Sequence, residues 1–324
     1  MKTISIPKIS FAGKGSSGSS GSAPAKLKLL DGTKFGFSGN LDFLANVDSS
    51  EMTDMSDMFN ECRSITSIDL SSFNTSKVTV MSNMFRNCMK LVSLNLSLFN
   101  TSKVESMFNM FSGCFKIASL DLSSFDTSAL TNMEGMFYNC YSLKHIDFSS
   151  FDISKVTTLK NLFYSCGFEE WSLTTWDTSS VTDMGSIFQY CKELKKVDLS
   201  SFNTTRVTSL EKLFFGCSNI EYIDLSSFDT TNVNNTNNTF AACPKLSFLL
   251  LGPNFFKTKS VTSIDFSSCS KWIGDTVVTS LVTNSYDRAA AGLGTLTLKL
   301  STDTKAALTD EQKAAITAKG YTIA

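Results

Sequence analysis

Two hydrophobic patterns alternate along the chain and predict a strand followed by a helical segment. In Ile68-Asp69-Leu70 and again in Leu94-Asn95-Leu96, a polar residue separates two apolar ones, which is typical of a short strand with one buried face. A second pattern places apolar residues at steps of three and four, at Val78, Met81, Met84, Phe85 and Cys88. That spacing predicts one buried stripe of an α-helix or of 3₁₀ turns.

The polar segment between these two patterns predicts a corner. It reads Phe73-Asn74-Thr75-Ser76 and recurs as Phe125-Asp126-Thr127-Ser128. Side chains of Asn, Asp, Ser and Thr accept hydrogen bonds from the free backbone N–H groups at a helix start. We therefore expect these side chains to hold the chain where it turns from strand to helix.

The cysteines show that this unit repeats at a fixed period. They are Cys62, Cys88, Cys114, Cys140, Cys166, Cys191, Cys217, Cys243 and Cys269. Successive cysteines are 26 residues apart, except for one gap of 25, and a phenylalanine stands three residues before each of them. Such a period predicts a solenoid, in which each unit buries its apolar face against its neighbours.

The predicted fold class is α/β: a solenoid with a parallel sheet on one face and short helices on the other. Ten of the twelve methionines fall in the helical stripe, which favours core packing over the alternative of a methionine-rich binding groove. Between Pro24 and Pro244 the chain contains no proline, as unbroken ladders of strand and helix require.

Composition divides the chain into four segments. Residues 1–25 include a Gly/Ser-rich run and predict a flexible tether. Residues 26–61 resemble a degenerate first unit and predict an N-terminal capping unit, followed by the repeat solenoid at 62–269. Residues 270–324 carry no repeat and predict a small α/β cap, because a solenoid needs a polar outer end. A separate binding domain is the alternative for this last segment.

Within residues 270–324, local patterns predict four elements. A helix is expected over 273–282 and a strand over 295–300. The spacing of Thr309 and Gln312 is that of a capping box, which opens a second helix. A short final strand is expected at 321–323.

The repeat resembles a known family. The pattern L-x-x-L-x-L-S-x-F-D-T-S-x-V-x-x-M-x-x-M-F-x-x-C, which covers about residues 41–269, is similar to the BspA-like branch of the leucine-rich repeats. This resemblance implies a leucine-rich-repeat-like solenoid and a role in adhesion or ligand binding, as in many bacterial and some viral surface proteins. It does not imply a particular ligand. The unit around Trp171 is one residue short, and we expect a local change of curvature there.

Several kinds of chemistry have no support in the sequence. The 29 basic and 30 acidic residues give a net charge of −1 without a basic block, so no nucleic-acid partner is expected. His145 is the one histidine, and we expect it to be exposed rather than catalytic. Phosphate-loop, dinucleotide and zinc spacings are missing, so we expect no enzyme activity, cofactor or metal. Neither a signal peptide nor a membrane-inserted segment is predicted.

The cysteines admit three interpretations. The first is a column of free, buried thiols, because an unbridged cysteine behaves as a small hydrophobe. Disulfides between adjacent units are the second, although nine is an odd number. A metal site is the third and the weakest, because a column supplies ligands in a line and not a tetrahedron.

Two columns of residues are expected to face outward from the strands. One column is mostly acidic and comprises Asp69, Asn95, Asp121, Asp147, Ser172, Asp198 and Asp224. It could bridge calcium or be satisfied by water and neighbouring Ser and Thr hydroxyls. The other column varies and comprises Ser67, Ser93, Ser119, His145, Glu170, Lys196, Tyr222 and Phe248. Its larger members, His145, Glu170, Lys196, Tyr222 and Phe248, are the predicted ligand-binding residues.

These observations predict a non-enzymatic binding or adhesion module displayed on a surface, contacting a protein or a glycan through the exposed sheet face. One version is a phage virion protein, as a fibre, decoration or tail component, whose residues 1–25 hold a scaffold protein. That version reconciles a surface role with free thiols and no export signal, because virion proteins fold in the host cytoplasm. Display on a bacterial cell surface and a cytoplasmic protein-protein interaction scaffold are the alternatives.

Overall fold

The chain winds into successive coils in a computed structural model that describes residues 26–35, 41–172 and 176–324. We call each coil a rung. The tether predicted for residues 1–25 lies outside the described residues. At the start of the described chain, Leu27–Lys28 (β1) pairs in parallel with Val47–Asp48 (β2), which follows the 3₁₀ helix Asp42–Asn46.

From Ser119 onward, successive rungs each add a short strand to a parallel column. These strands are Ser119–Leu120 (β3), His145–Ile146 (β4), Glu170–Ser172 (β5), Lys196–Asp198 (β6), Tyr222–Leu225 (β7) and Phe248–Leu251 (β8). They form two sheets, β3-β4 and β5-β6-β7-β8. We call this set the strand column. The leucine-rich-repeat-like solenoid predicted from the sequence is confirmed.

A second parallel ladder joins the rungs on the far side of the corner. It consists of single-residue bridges, from Asp54 with Val80 and Val80 with Ser106 through to Ser209 with Asn235. After its bridge, the chain of each rung runs back through the Met, Phe and Cys positions. We call this segment the return limb; in one rung it covers residues 80–89.

The return limb is built of turns, whereas the sequence predicted short helices. Alternate N–H groups, those of Met81, Asn83, Phe85 and Asn87, donate to carbonyls of the next rung at 2.7–2.9 Å. The N–H groups of Met84 and Arg86 donate to carbonyls three residues back within the same rung. A helix would direct its N–H groups along its own axis and leave none to link neighbouring rungs. No helix occurs between Asp48 and Asp275 among the residues described.

Asparagine makes this backbone possible. Asn83 and Asn87 have φ of 58° and 59°, in the left-handed region that a short polar side chain tolerates better than most. In the following rung Asn109 has φ of 52° and Gly113 of 76°. The turn geometry therefore recurs at the same positions from rung to rung.

The apolar stripe is buried as its spacing predicts. All ten methionines of the stripe are buried, so the core-packing interpretation is confirmed. The phenylalanines preceding the cysteines, from Phe59 to Phe266, form one stack, which Phe35 extends, with ring centroids of neighbours 4.9–6.0 Å apart. This column of rings runs through the centre of the solenoid.

All nine cysteines are free and buried. From Cys88 onward each thiol lies 2.9–3.7 Å from the carbonyl of the stacked phenylalanine in the preceding rung, as Cys88 does with Phe59. The Phe59 carbonyl also accepts from the N–H of Cys62 at 3.1 Å. The thiol therefore satisfies the second lone pair of a buried carbonyl, which a purely apolar side chain would leave unpaired.

A column of buried threonines joins the corners. The Thr75 hydroxyl donates to the carbonyl of Asn100 at 3.0 Å and accepts from the Asn100 N–H at 2.7 Å. Thr127 and Asp152 repeat this reciprocal pair. In the next rung the position is occupied by Ile153, which is buried and has no hydroxyl. The side-chain links of this column are therefore interrupted once, immediately before the short rung.

Residues 270–324 end both ladders. The α-helix Asp275–Val278 (α1) continues into the π-helical turn Thr279–Thr283, whose Ser280 hydroxyl donates to the Leu249 carbonyl at 2.5 Å. On the return side, Ser263–Phe266 (β9), Leu296–Leu300 (β10) and Tyr321–Ile323 (β11) form a parallel sheet.

Two further helices and a buried arginine complete this end. The helices are Thr302–Ala307 (α2) and Asp310–Ala318 (α3), and α3 begins with the expected capping box of Thr309 and Gln312. Arg288 is 2% exposed, and its guanidinium donates to the carbonyls of Phe256, Thr258 and Gly294. Burial lowers its pKa. None of the described helices has the length and apolarity that a bilayer crossing requires.

Removing one ring from the stack is expected to be strongly destabilising. Phe111 is buried and lies 5.7 Å from both Phe85 and Phe137. Phe111→Ala should lower the free energy of unfolding by about 3–5 kcal/mol, because it removes buried area and leaves a cavity. Phe115→Ala, at a half-buried position of the same rung, is the control and should cost much less. Denaturant titration measures both losses. If the two variants lost the same free energy of unfolding, the stacked rings would contribute no more to stability than the half-buried Phe115.

The thiols are expected to be unreactive in the native protein. Burial raises the pKa of Cys140, Cys191 and Cys243 to about 12, and that of Cys62, in the first rung, to about 11. Because the thiolate is the reactive form, iodoacetamide should label all nine after denaturation and almost none before it, with Cys62 reacting first. Mass spectrometry of both samples reads this out, and a disulfide such as Cys88–Cys114 would refute the packing role.

Candidate functional site

The outward positions of the strand column form a row. In β6, β7 and β8 the second residues, Val197, Ile223 and Leu249, are buried, so the residues before them project outward. The parallel register pairs Glu170 with Lys196, Lys196 with Tyr222, and Tyr222 with Phe248. We call Glu170, Lys196, Tyr222 and Phe248 the strand row.

Three members of the strand row are in contact. The rings of Tyr222 and Phe248 are stacked, with centroids 4.8 Å apart and planes 8° apart. The Lys196 ammonium lies 5.3 Å from the centroid of Tyr222, within range of a cation–π interaction. The Tyr222 hydroxyl donates to Asp224 at 3.3 Å, and burial together with this carboxylate raises the pKa of Tyr222. The hydroxyl therefore stays protonated near neutral pH.

The adjacent residues supply a surface ion pair. Lys195 and Glu169 are 2.8 Å apart, and both side chains are more than half exposed. Their hydrogen bond lowers the pKa of Glu169 and raises that of Lys195, and such an exposed pair adds little stability. Lys196 makes no ion pair within the part of the chain that the structure describes. Its charge is thus directed at the aromatic ring and at solvent.

His145 is set apart from the strand row. It belongs to β4, which pairs with β3 and places His145 opposite Ser119. β4 does not join the sheet of β5 to β8. β5 belongs to the 25-residue rung that contains Gly167, and the ladder is interrupted between β4 and β5. The structure therefore brings together four of the five predicted ligand-binding residues, and His145 lies on a separate exposed strand pair.

The acidic column has a local structural role. In each of Asp69, Asp121, Asp147 and Asp198, a carboxylate oxygen accepts from the backbone N–H two residues later, at 2.8–3.0 Å. These bonds lower the pKa of the four carboxyls. No group of three His, Cys, Asp or Glu residues with the arrangement of a metal site occurs in the described ranges. Each side chain thus stabilises the turn at the end of its own strand.

A second aromatic cluster lies on the return limbs, and the sequence analysis missed it. The rings of Tyr138 and Tyr164 stack with centroids 4.2 Å apart, and Tyr190 meets Tyr164 at 81° and 5.5 Å. These residues border an open cavity of about 450 Å³. Its lining comprises Tyr138, Asn139, Tyr141, Tyr164, Ser165, Tyr190 and Lys192. We call it the return pocket. The signal was available, since four of the seven tyrosines fall between 138 and 190.

Comparison with protein families gives one match that spans most of the repeats. The family is described as "Mycoplasma protein of unknown function, DUF285", and its model matches residues 36–115, 53–171 and 167–272. Comparison with curated proteins found no match.

Among solved structures, the chain is similar to three bacterial proteins. A leucine-rich repeat protein from Bacteroides ovatus is 17% identical, with 82% of this chain and 86% of that chain covered and a TM-score of 0.34. A leucine-rich cell surface protein from Faecalibacterium prausnitzii is 15% identical over 90% and 86%, with a TM-score of 0.31. The functional domain of InlJ from Listeria monocytogenes, which includes a cysteine ladder, is 15% identical over 84% and 69%, with a TM-score of 0.18.

The acidic column is expected to stabilise the fold through its hydrogen bonds and without calcium. The pKa of Asp121 is lowered from 3.8 by its bonds to Ser123, so the stability that it contributes is fully present above the unfolded value and is lost as the pH falls through the lower pKa of the folded state. Asp121→Ala should lower the melting temperature near neutral pH. Asp121→Asn should preserve it, because Asn95 makes the same bond to Ser97 one rung earlier, and should weaken its dependence on acid pH.

Melting curves across the acid range, with and without a calcium chelator, test this expectation. The chelator should leave the melting temperature unchanged at every pH. A rise of several degrees on adding calcium, abolished by Asp121→Asn, would instead identify the acidic column as a calcium site.

Proposed function

The chain belongs to the family described as "Mycoplasma protein of unknown function, DUF285", and from that premise we propose that it is a non-enzymatic binding module whose strand row contacts a protein or glycan ligand. The contact of Lys196, Tyr222 and Phe248 carries this proposal. Two stacked aromatic rings present an apolar surface, and the neighbouring cation adds a charged group to it. Aromatic and basic residues of this kind dominate binding energy at protein interfaces.

The scaffold favours binding because it holds these side chains in place. Their backbones are paired in one parallel register from β5 to β8, and the residues beneath them are buried. A ligand therefore meets a surface that is already ordered, which reduces the entropy lost on binding.

A role in catalysis has little chemical support. His145 stands on an exposed strand apart from the strand row. The nine cysteines are buried, and their thiols have a raised pKa, as that of Cys140 illustrates. Neither residue type is therefore placed as an activated nucleophile and base.

Surface display is the setting that we propose for this binding. The repeat resembles the BspA-like leucine-rich repeats, which occur on bacterial surfaces, and the family description refers to Mycoplasma, a cellular bacterium. Both favour a bacterial cell surface. The phage virion placement depended on residues 1–25, outside the described chain, and stays a prediction, as does the intracellular scaffold.

Alanine at both Lys196 and Tyr222 tests the strand row. The double variant should bind its preferred probe at least roughly tenfold more weakly, because it removes a cation and an aromatic anchor. The assay measures purified protein on arrays of extracellular-matrix proteins and glycans, with melting curves to confirm folding. The matched control is alanine at Lys257 and Tyr286, a second lysine over a tyrosine ring, 5.8 Å from its centroid, in the C-terminal part of the chain.

The proposal requires at least one probe whose binding depends on the strand row and not on the control pair. It fails if the wild-type protein binds none of the arrayed probes. It also fails if every probe that binds is unaffected by the Lys196 and Tyr222 changes.

A further inference from the structure

We propose that the return pocket is a second binding site, separate from the strand row, and that it takes an acidic saccharide. The pocket lies on the limbs that run behind the strand column, and three successive rungs contribute to it. Its volume of about 450 Å³ falls within the range typical of small-molecule sites.

A glycine interrupts one column of side chains in the three rungs that form the pocket. Tyr141, Gly167 and Lys192 each follow the cysteine of their own rung, so they occupy equivalent positions in three neighbouring rungs. Gly167 contributes no side chain between the other two. A Cβ atom there would lie 2.3 Å from the Tyr141 carbonyl oxygen. The glycine thus allows close approach of the two backbones, and the tyrosine and the lysine of the rungs on either side line the pocket.

A second glycine makes room for the aromatic wall. A Cβ atom on Gly216 would lie 2.5 Å from the Tyr190 ring, so Tyr190 packs where other side chains would clash. Tyr190 meets Tyr164 at 81°, and the two ring planes form a corner. Ring faces of this kind pack against the C–H surfaces of a pyranose, while their hydroxyl groups remain able to form hydrogen bonds.

The repeat does not require these tyrosines. Tyr138 and Tyr164 stand two residues before their cysteines, where other rungs have Arg86, Ser112 and Gln189. Because other rungs have polar side chains at this position, the packing of the repeat does not by itself explain why tyrosines are found here. Binding does account for a concentration of aromatic side chains at one place on a regular scaffold.

The polar lining favours an anionic ligand. Tyrosine and serine hydroxyls, the Asn139 amide and the Lys192 ammonium can all donate hydrogen bonds, and no carboxylate lines the pocket. Burial and a hydrogen bond with Tyr138 raise the pKa of Tyr164, so its hydroxyl remains a donor. One lysine suits a single carboxylate or sulfate group, whereas a nucleic-acid backbone would need several cations.

The test uses pairs of arrayed glycans that differ only in an acidic group, such as sialylated glycans and their asialo forms. The wild-type protein should prefer the acidic member of at least one pair. Alanine at both Tyr141 and Lys192 should weaken that binding at least roughly tenfold. Tyr141 is 51% exposed and Lys192 is exposed, so the variant should keep its melting temperature.

Two further variants separate this site from others. Lys192→Gln alone should remove the preference for the acidic member while leaving the neutral glycan bound as before. Alanine at Lys196 and Tyr222 should leave acidic-glycan binding intact, which distinguishes this site from the strand row. The proposal is overturned if the wild-type protein binds no acidic glycan, if it binds both members of each pair equally, or if only the strand-row variant loses binding.

Discussion

The hydrogen bonds between successive return limbs are the constraint on which the rest of the structure depends. Alternate N–H groups from Met81 to Asn87 reach the carbonyls of the next rung, so the backbone itself fixes the distance and register between rungs. The stacked rings of Phe85 and Phe111 and the thiol of Cys114 on the Phe85 carbonyl then follow from that register. The same register aligns the outward side chains into columns.

The sequence predicted the architecture because the spacing of its apolar residues gives both the length of the repeat and the face of each unit that is buried. It did not predict the conformation of the return limb, since a buried stripe at steps of three and four suits both a helix and a chain of turns. The choice between helix and turns depends on whether the backbone N–H groups bond within the limb or to the next rung. The pattern of apolar residues carries no information about this. The recurrence of asparagine at 83, 87, 109 and 139, each with positive φ, was the signal in favour of turns.

The candidate surfaces were predictable to different degrees. The strand row could be predicted because alternation in a strand gives the direction of each side chain. The separation of His145 could not, because alternation gives the direction of a side chain and not the continuity of strand pairing between rungs, which breaks between β4 and β5. The return pocket could not be predicted, because its tyrosines occupy three different positions in the repeat, and only the fold shows that Tyr138, Tyr164 and Tyr190 are in ring contact.

The uniform bonding between rungs also determines how such a chain can change in length. Most return limbs present equivalent donors to one neighbour and equivalent carbonyls to the other, so a whole unit could be duplicated or lost in the gene while the ladder between the limbs remains continuous. A change of a single residue is tolerated only where one rung absorbs it. The 25-residue rung is such a case: Thr158 still bridges Asp183 and Asp183 bridges Ser209, so the solenoid continues in register beyond it. The hydrogen bonds between rungs therefore permit the chain to lengthen or shorten by whole repeats.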